Sequence, residues 1–114
     1  MHQPAELFRA LADPTRLAVF ESLAAAELSV SELTAKFDVS QPAISQHLAA
    51  LRSSGLVRPR KAGRQIFYSA DPAGMQPIFS WIAHYQAFWT EKLPHLEALL
   101  KQLPEAPPSQ GEDL

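Results

Sequence analysis

Two helix-start signals stand eleven residues apart in this chain, and they constrain its fold more than any bulk property does. Ser29-Val30-Ser31-Glu32 has capping-box spacing, in which the serine hydroxyl and the glutamate carboxylate each take one orphan backbone N–H. Ser40 is the second N-cap, with Pro42 in the first turn behind it, where a missing N–H is tolerated. The interval holds a short helix to about Phe37 and a tight connection at Asp38-Val39. The next helix carries Ile44, Leu48 and Leu51 at i, i+4 and i+7 and ends at Gly55 as a left-handed cap. There the period changes. Leu56 to Lys61 can extend, Ala62-Gly63-Arg64 supplies a turn, and Gln65-Ile66-Phe67-Tyr68-Ser69 is a β-branched and aromatic run. The spacing predicts a hairpin with basic residues at and before its tip.

On the N-terminal side, Leu7, Phe8 and Leu11 begin a short amphipathic helix after Pro4. Asp13-Pro14 caps and opens a second helix, with Leu17, Phe20 and Ala24 on one face. On the C-terminal side, Asp71-Pro72 starts a long last helix expected to reach about Leu103, which Pro94 should kink or break. Ile78, Ile82, Tyr85 and Trp89 form one stripe of it, Trp81, His84 and Phe88 another, and Leu96, Leu99, Leu100 and Leu103 continue it. Residues 104–114, with three prolines, read as a disordered tail. Residues 1–103 therefore read as one domain, mainly α with a small β-hairpin wing, in the order α-α-α-α-β-β-α.

Several function classes are excluded. Without cysteine there is no disulfide framework, thiolate metal site or thiol nucleophile. No Gly-rich phosphate loop or paired His/Glu motif points to an enzyme. No apolar signal segment precedes the first helix and no run approaches the ~18 apolar residues of a membrane span, so a cytoplasmic chain without membrane contact is expected. The net charge of −2 hides an uneven distribution: residues 41–70 hold Arg52, Arg58, Arg60, Lys61 and Arg64 and no acid. Such a stretch is either a solvated patch or a surface for a polyanion, because counterion release is a local effect.

Two short helices joined by a tight turn and followed by a basic hairpin form a helix-turn-helix with a wing. Burying Ile44, Leu48 and Leu51 leaves Gln41, Pro42, Ser45, Gln46 and Ala49 outward, short side chains suited to the edges of bases in a major groove. The same fold also serves as a protein-docking platform. A docking platform would have no need to exclude acids from the hairpin and the helix before it.

Five segments carry a resemblance: Ala12-Asp13-Pro14-Thr15-Arg16-Leu17, Leu28-Ser29-Val30-Ser31-Glu32-Leu33, Ser40-Gln41-Pro42-Ala43-Ile44-Ser45-Gln46-His47-Leu48, Leu51-Arg52-Ser53-Ser54-Gly55-Leu56-Val57 and Gly63-Arg64-Gln65-Ile66-Phe67-Tyr68-Ser69. In order and spacing they resemble the ArsR/SmtB family of bacterial regulators. The resemblance implies a homodimer built on the first and last helices, and repression at an inverted-repeat operator in double-stranded DNA, relieved by a signal. It implies recognition by Gln41, Ser45, Gln46 and His47 and a wing-tip contact from Arg64. The full DNA-binding set expected is Ser40, Gln41, Pro42, Ser45, Gln46, His47, Arg52, Arg60, Lys61 and Arg64, with a helix at about 41–54 and a wing at about 57–69. His47 either meets a phosphate or supports its helix, and Arg16 is read as structural. The expected dimer interface is Leu7, Phe8, Leu11, Ile78, Ile82, Tyr85, Trp89 and Leu96.

Metal-sensing members of that family carry Glu-Leu-Cys-Val-Cys where this chain has Glu27-Leu28-Ser29-Val30-Ser31, and serine is a poor ligand for soft metals. His84 and His95 have the spacing of a second metal motif, but Ile82 and Ala98 stand at its other ligand positions. No metal site and no cofactor are expected. The cluster of Trp81, Tyr85, Phe88 and Trp89 reads as dimer interface, with an apolar small-molecule effector as the sharper alternative.

Overall fold

The computed structural model describes residues 2–102 of the chain, which divides into two units, Met1–Trp81 and Ile82–Leu114. The first unit contains α1 (Pro4–Leu11), α2 (Pro14–Ala25), β1 (Leu28–Ser29), α3 (Val30–Phe37), α4 (Gln41–Ser53), β2 (Val57–Ala62) and β3 (Gln65–Ala70). A 3₁₀ turn (Pro72–Met75) and the start of α5 (Gln76–His84) follow.

The caps lie where the sequence places them. Asp13 accepts the N–H of Arg16 at 2.8 Å, and Ser40 accepts that of Ala43 at 3.2 Å. At Ser29 the box is reciprocal: Glu32 donates its N–H to the Ser29 hydroxyl at 3.1 Å, and the Ser29 N–H goes to the Glu32 carboxylate at 2.8 Å. Helix α4 ends in a Schellman motif, with the N–H groups of Gly55 and Leu56 donating to the carbonyls of Arg52 and Leu51. Gly55 takes φ +80°, a backbone that a side chain would strain. Leu51 and Leu56, the apolar pair of that motif, are both fully buried.

The core comprises Leu7, Ala10, Val19, Leu23, Leu33, Ile44, Leu48, Leu51, Leu56, Val57 and Ile78. Helix α2 departs from expectation: Val19 and Leu23 are its buried pair, whereas Leu17 and Ala24 are exposed and Phe20 packs only partly on the core. Apolar residues run nearly all round this helix, so spacing alone could not select the inward face. Leu7 and Ile78, expected at a dimer interface, instead belong to the chain's own core and leave almost no surface for a partner. Phe8 is half-exposed and meets Trp81 edge to face, ring centroids 5.8 Å apart.

The hairpin gains a third strand. Leu28 pairs with Tyr68 and Ser29 with Phe67, giving an antiparallel sheet in the order β1-β3-β2. A two-residue segment is too short for a period-2 pattern, which is why the sequence shows only two strands. Gly63 and Arg64 form the hairpin turn between Ala62 and Gln65, and Gly63 supplies φ +62°.

In the second unit the last helix divides at a different place from the one expected. Tyr85, with φ −101° and ψ 19°, separates α5 from α6 (Gln86–Leu100), and its N–H reaches the carbonyl of Ile82. Pro94 lies inside α6 without ending it; a proline costs its helix a hydrogen bond but does not oblige a stop. Residues 103–114, which include the expected tail, lie outside the described residues. Among the described residues no helix is long and apolar enough to cross a membrane.

Candidate nucleic-acid interface

Helix α4 presents Gln41, Pro42, Ser45, Gln46, Ala49 and Arg52 as an exposed face, while Ile44, Leu48 and Leu51 anchor it from behind. Two hollows lie between that face and the sheet. One, of about 210 Å³, is lined by Gln41 of α4, by Arg64, Gln65 and Ile66 of the hairpin, and by Ser29, Val30 and Ser31. The other, of about 420 Å³, is lined by Ser45, Leu48, Ala49, Arg52 and Ser53 of α4 with Val30 and Tyr68. Val30 lines both, one hollow lying toward the wing tip and the other toward the C-terminal half of α4. Arg64 and Ser31 line the first, and Arg52, Ser45, Ser53 and Tyr68 the second.

The expected contact residues separate on this geometry. Gln41, Pro42, Ser45, Gln46, Arg52, Lys61 and Arg64 are exposed on α4 or the hairpin. Ser40 is exposed as well, but its oxygen is already engaged as the cap of α4. The His47 side chain is only 20% exposed, and its Nδ1 lies 4.0 Å from the Asp13 carboxylate, across the junction of α4 with α2. His47 therefore faces the helix junction, which favours the supporting role. Arg16 donates from Nη1 to the carbonyl of Ala10 at 3.1 Å, tying α2 to the C-terminal end of α1. Its own backbone N–H is the main reason the Asp13 carboxyl is held below its ordinary range, with the charges of His47 and Arg16 adding to it.

Arg60 is the clearest departure. Its Nε and Nη2 donate to the two carboxylate oxygens of Glu27 at 2.9 and 2.7 Å, and its guanidinium carbon lies 5.2 Å from the Phe67 ring centroid. The hydrogen bond from Arg60 lowers the Glu27 carboxyl below its ordinary value, and the same bond raises Arg60. One of the five basic residues between 41 and 70 is thus already paired within the chain. Glu27 was not anticipated as a site residue, because its partner lies 33 positions away and no local pattern links the two.

The sequence pattern of the arsR family of bacterial regulatory proteins matches residues 13–58, from the cap of α2 to the start of β2. The HTH-type transcriptional regulator Rv2034 of Mycobacterium tuberculosis is 37% identical over 110 residues, 96% of this chain and 94% of that protein. The chain belongs to the ArsR family. The transcriptional repressor SmtB homolog of Synechocystis is 49% identical over 83 residues, covering 73% of this chain but only 63% of its own length. Among solved structures, the ArsR-like transcriptional regulator from Rhodococcus sp. RHA1 superposes with a TM-score of 0.67 at 33% identity, over 87% of this chain and 93% of that one. The family consists of DNA-binding transcriptional regulators rather than enzymes. In this ArsR-family regulator the matched segment contains α3, α4 and their turn, so the exposed row on α4 lies inside the part that defines the family.

Proposed function

We propose that this ArsR-family protein is a homodimeric transcriptional repressor that reads an inverted-repeat operator with α4 and holds the adjacent backbone with its wing. Two hollows beside the polar face of α4 carry this reading, one lined by Arg64 of the hairpin and the other by Arg52. A helix of 13 residues with Gln41, Ser45 and Gln46 near its N-terminus fits a major groove, and the strand bordering that groove would pass over the two hollows. Gln41, Pro42, Ser45 and Gln46 would meet base edges; Ser40, Arg52, Lys61 and Arg64 would meet phosphates. Repression follows the Synechocystis relative, which is named a transcriptional repressor.

Self-association is proposed from apolar residues left uncovered. Phe8 is half-exposed on α1, where Leu11 packs partly on the core, and Ile82, Tyr85 and Leu96 are exposed in the second unit. Trp89 lies on α6 and is kept in the proposed interface. An apolar effector belongs to the same proposal and would meet Tyr85 and Phe88.

The test is fluorescence anisotropy of the full chain against its own upstream DNA and a scrambled duplex, across salt concentrations. Tighter, salt-sensitive binding to the upstream duplex is expected. Gln41→Ala should then erode discrimination between duplexes by about 1–3 kcal/mol, while Arg64→Ala weakens both alike and lowers the salt slope by about one. Absence of binding at low salt would overturn the reading in favour of a docking platform.

A further inference from the structure

We propose that Arg60 is a positioning residue for DNA binding and not a DNA ligand: clamped by Glu27, it fixes the wing to the N-terminus of α3 so that Arg64 is presented to the phosphate backbone. The proposal rests on the nucleic-acid reading above. Its first support is register. Arg60 stands opposite Phe67, and Phe67 opposite Ser29, so the Arg60 side chain crosses the central strand β3 to reach the residue just before β1. The ion pair therefore joins β2, across the middle strand, to the residue that leads into β1.

The second support is facing. Successive side chains of a strand point to opposite faces. Tyr68 packs on the core and lines the larger hollow, so Phe67 and its neighbour Arg60 lie on the other face. Arg60 is not among the residues that line the hollow in which Gln41 and Arg64 meet. A phosphate would also have to displace a carboxylate that already satisfies two guanidinium N–H groups.

The third support is the shortness of β1. Strand β1 offers only two paired positions to β3, and Ser29 serves both as one of them and as the cap of α3. Glu27, Leu28 and Ser29 thus form a joint: one holds the wing through Arg60, two pair with it, and the last starts the helix that precedes α4. Glu27 itself lines neither hollow, so replacing it loosens the joint without removing a lining residue.

The two roles predict opposite signs for Glu27→Gln. If Arg60 were a phosphate ligand, removing its competitor and a negative charge would tighten DNA binding. Under the positioning role, anisotropy of the full-length protein shows binding weakened by about two- to fivefold, the range of an exposed ion pair. Arg64→Ala should then cost less in the Glu27→Gln background than in the wild type, because the wing no longer presents Arg64 well. The swap Glu27→Arg with Arg60→Glu should restore affinity. Amide hydrogen exchange without DNA gives an independent readout, with faster exchange at residues 66–68 and unchanged exchange in α4 for Glu27→Gln. Tighter binding by Glu27→Gln, or costs of Arg60→Gln and Arg64→Ala that add fully with each lowering the salt slope, would overturn the positioning role. If the wild type binds no DNA at low salt, the underlying reading fails instead. Unchanged wing exchange would then remove the clamp as well.

Discussion

The two units of this chain use apolar side chains in opposite ways. In the first, Leu7, Val19, Leu33, Ile44, Leu51 and Leu56 are enclosed by the chain's own elements. In the second, Ile82, Phe88, Leu93, Leu96, Leu99 and Leu100 all stand exposed, and none of its described side chains is buried. The first unit has closed its core within one chain. The second carries apolar surface of the kind that self-association covers. The difference separates the part that is closed within one chain from the part that leaves apolar side chains exposed, and it places α4 in the closed part.

The largest expected effect tests that separation directly. Leu51→Ala removes a fully buried side chain from the junction of α4 with the Schellman turn and should cost about 2–5 kcal/mol in urea unfolding. Leu96→Ala removes a side chain already 46% exposed, so it should cost the folded chain much less. Its effect should appear as weaker self-association in light scattering across a dilution series. Equal destabilisation by the two at every protein concentration would break the comparison.

Gly74→Ala sharpens the description of the first unit at a finer scale. A Cβ at residue 74 would run into the backbone carbonyl of Gly55, so the 3₁₀ turn and the end of α4 are in direct backbone contact. The N–H of Asp71 donates to the carbonyl of Leu56 at 2.9 Å in the same junction. Neither backbone can yield as a flexible side chain would, and a loss of about 1–3 kcal/mol is expected by thermal denaturation. A neutral result would mean that the two turns can separate, and that the first unit is less tightly closed than its buried leucines suggest.

Legibility in the sequence follows the same division. Features made by neighbours along the chain could be read: the caps at Asp13, Ser29 and Ser40, the stop at Gly55 and the buried triplet Ile44, Leu48 and Leu51 all depend on spacings of a few residues. Features made by distant residues could not. The pairing of Leu28 with Tyr68 and the clamp between Glu27 and Arg60 join positions whose separation carries no period. The wing's charge was therefore legible, whereas the internal commitment of Arg60 was not. His47 shows the same limit: its place in the motif was clear, but its proximity to Asp13 depends on how α4 packs on α2. In the last helix Pro94 drew attention as the breaker, although the interruption falls at Tyr85, where no proline or glycine marks it.

The smallest expected effect concerns acid, and it bears on the junction that holds the first unit together. Asp13 caps α2 and faces His47 on α4, while Arg16 from the same turn reaches α1. The Arg16 N–H, and after it the neighbouring charges, hold the Asp13 carboxyl below its ordinary value of 3.8. A carboxylate depressed in the folded state stabilises it above the unfolded value, and that contribution is lost as pH falls through the folded one. Asn caps a helix about as well as Asp but does not titrate. Asp13→Asn should therefore leave stability near neutral pH little changed and flatten its decline below about pH 4 in urea titrations. If the variant declines as steeply as the wild type, the acid sensitivity of the first unit belongs to other carboxylates. Glu27 is the next to test, since the same sign applies to it through Arg60.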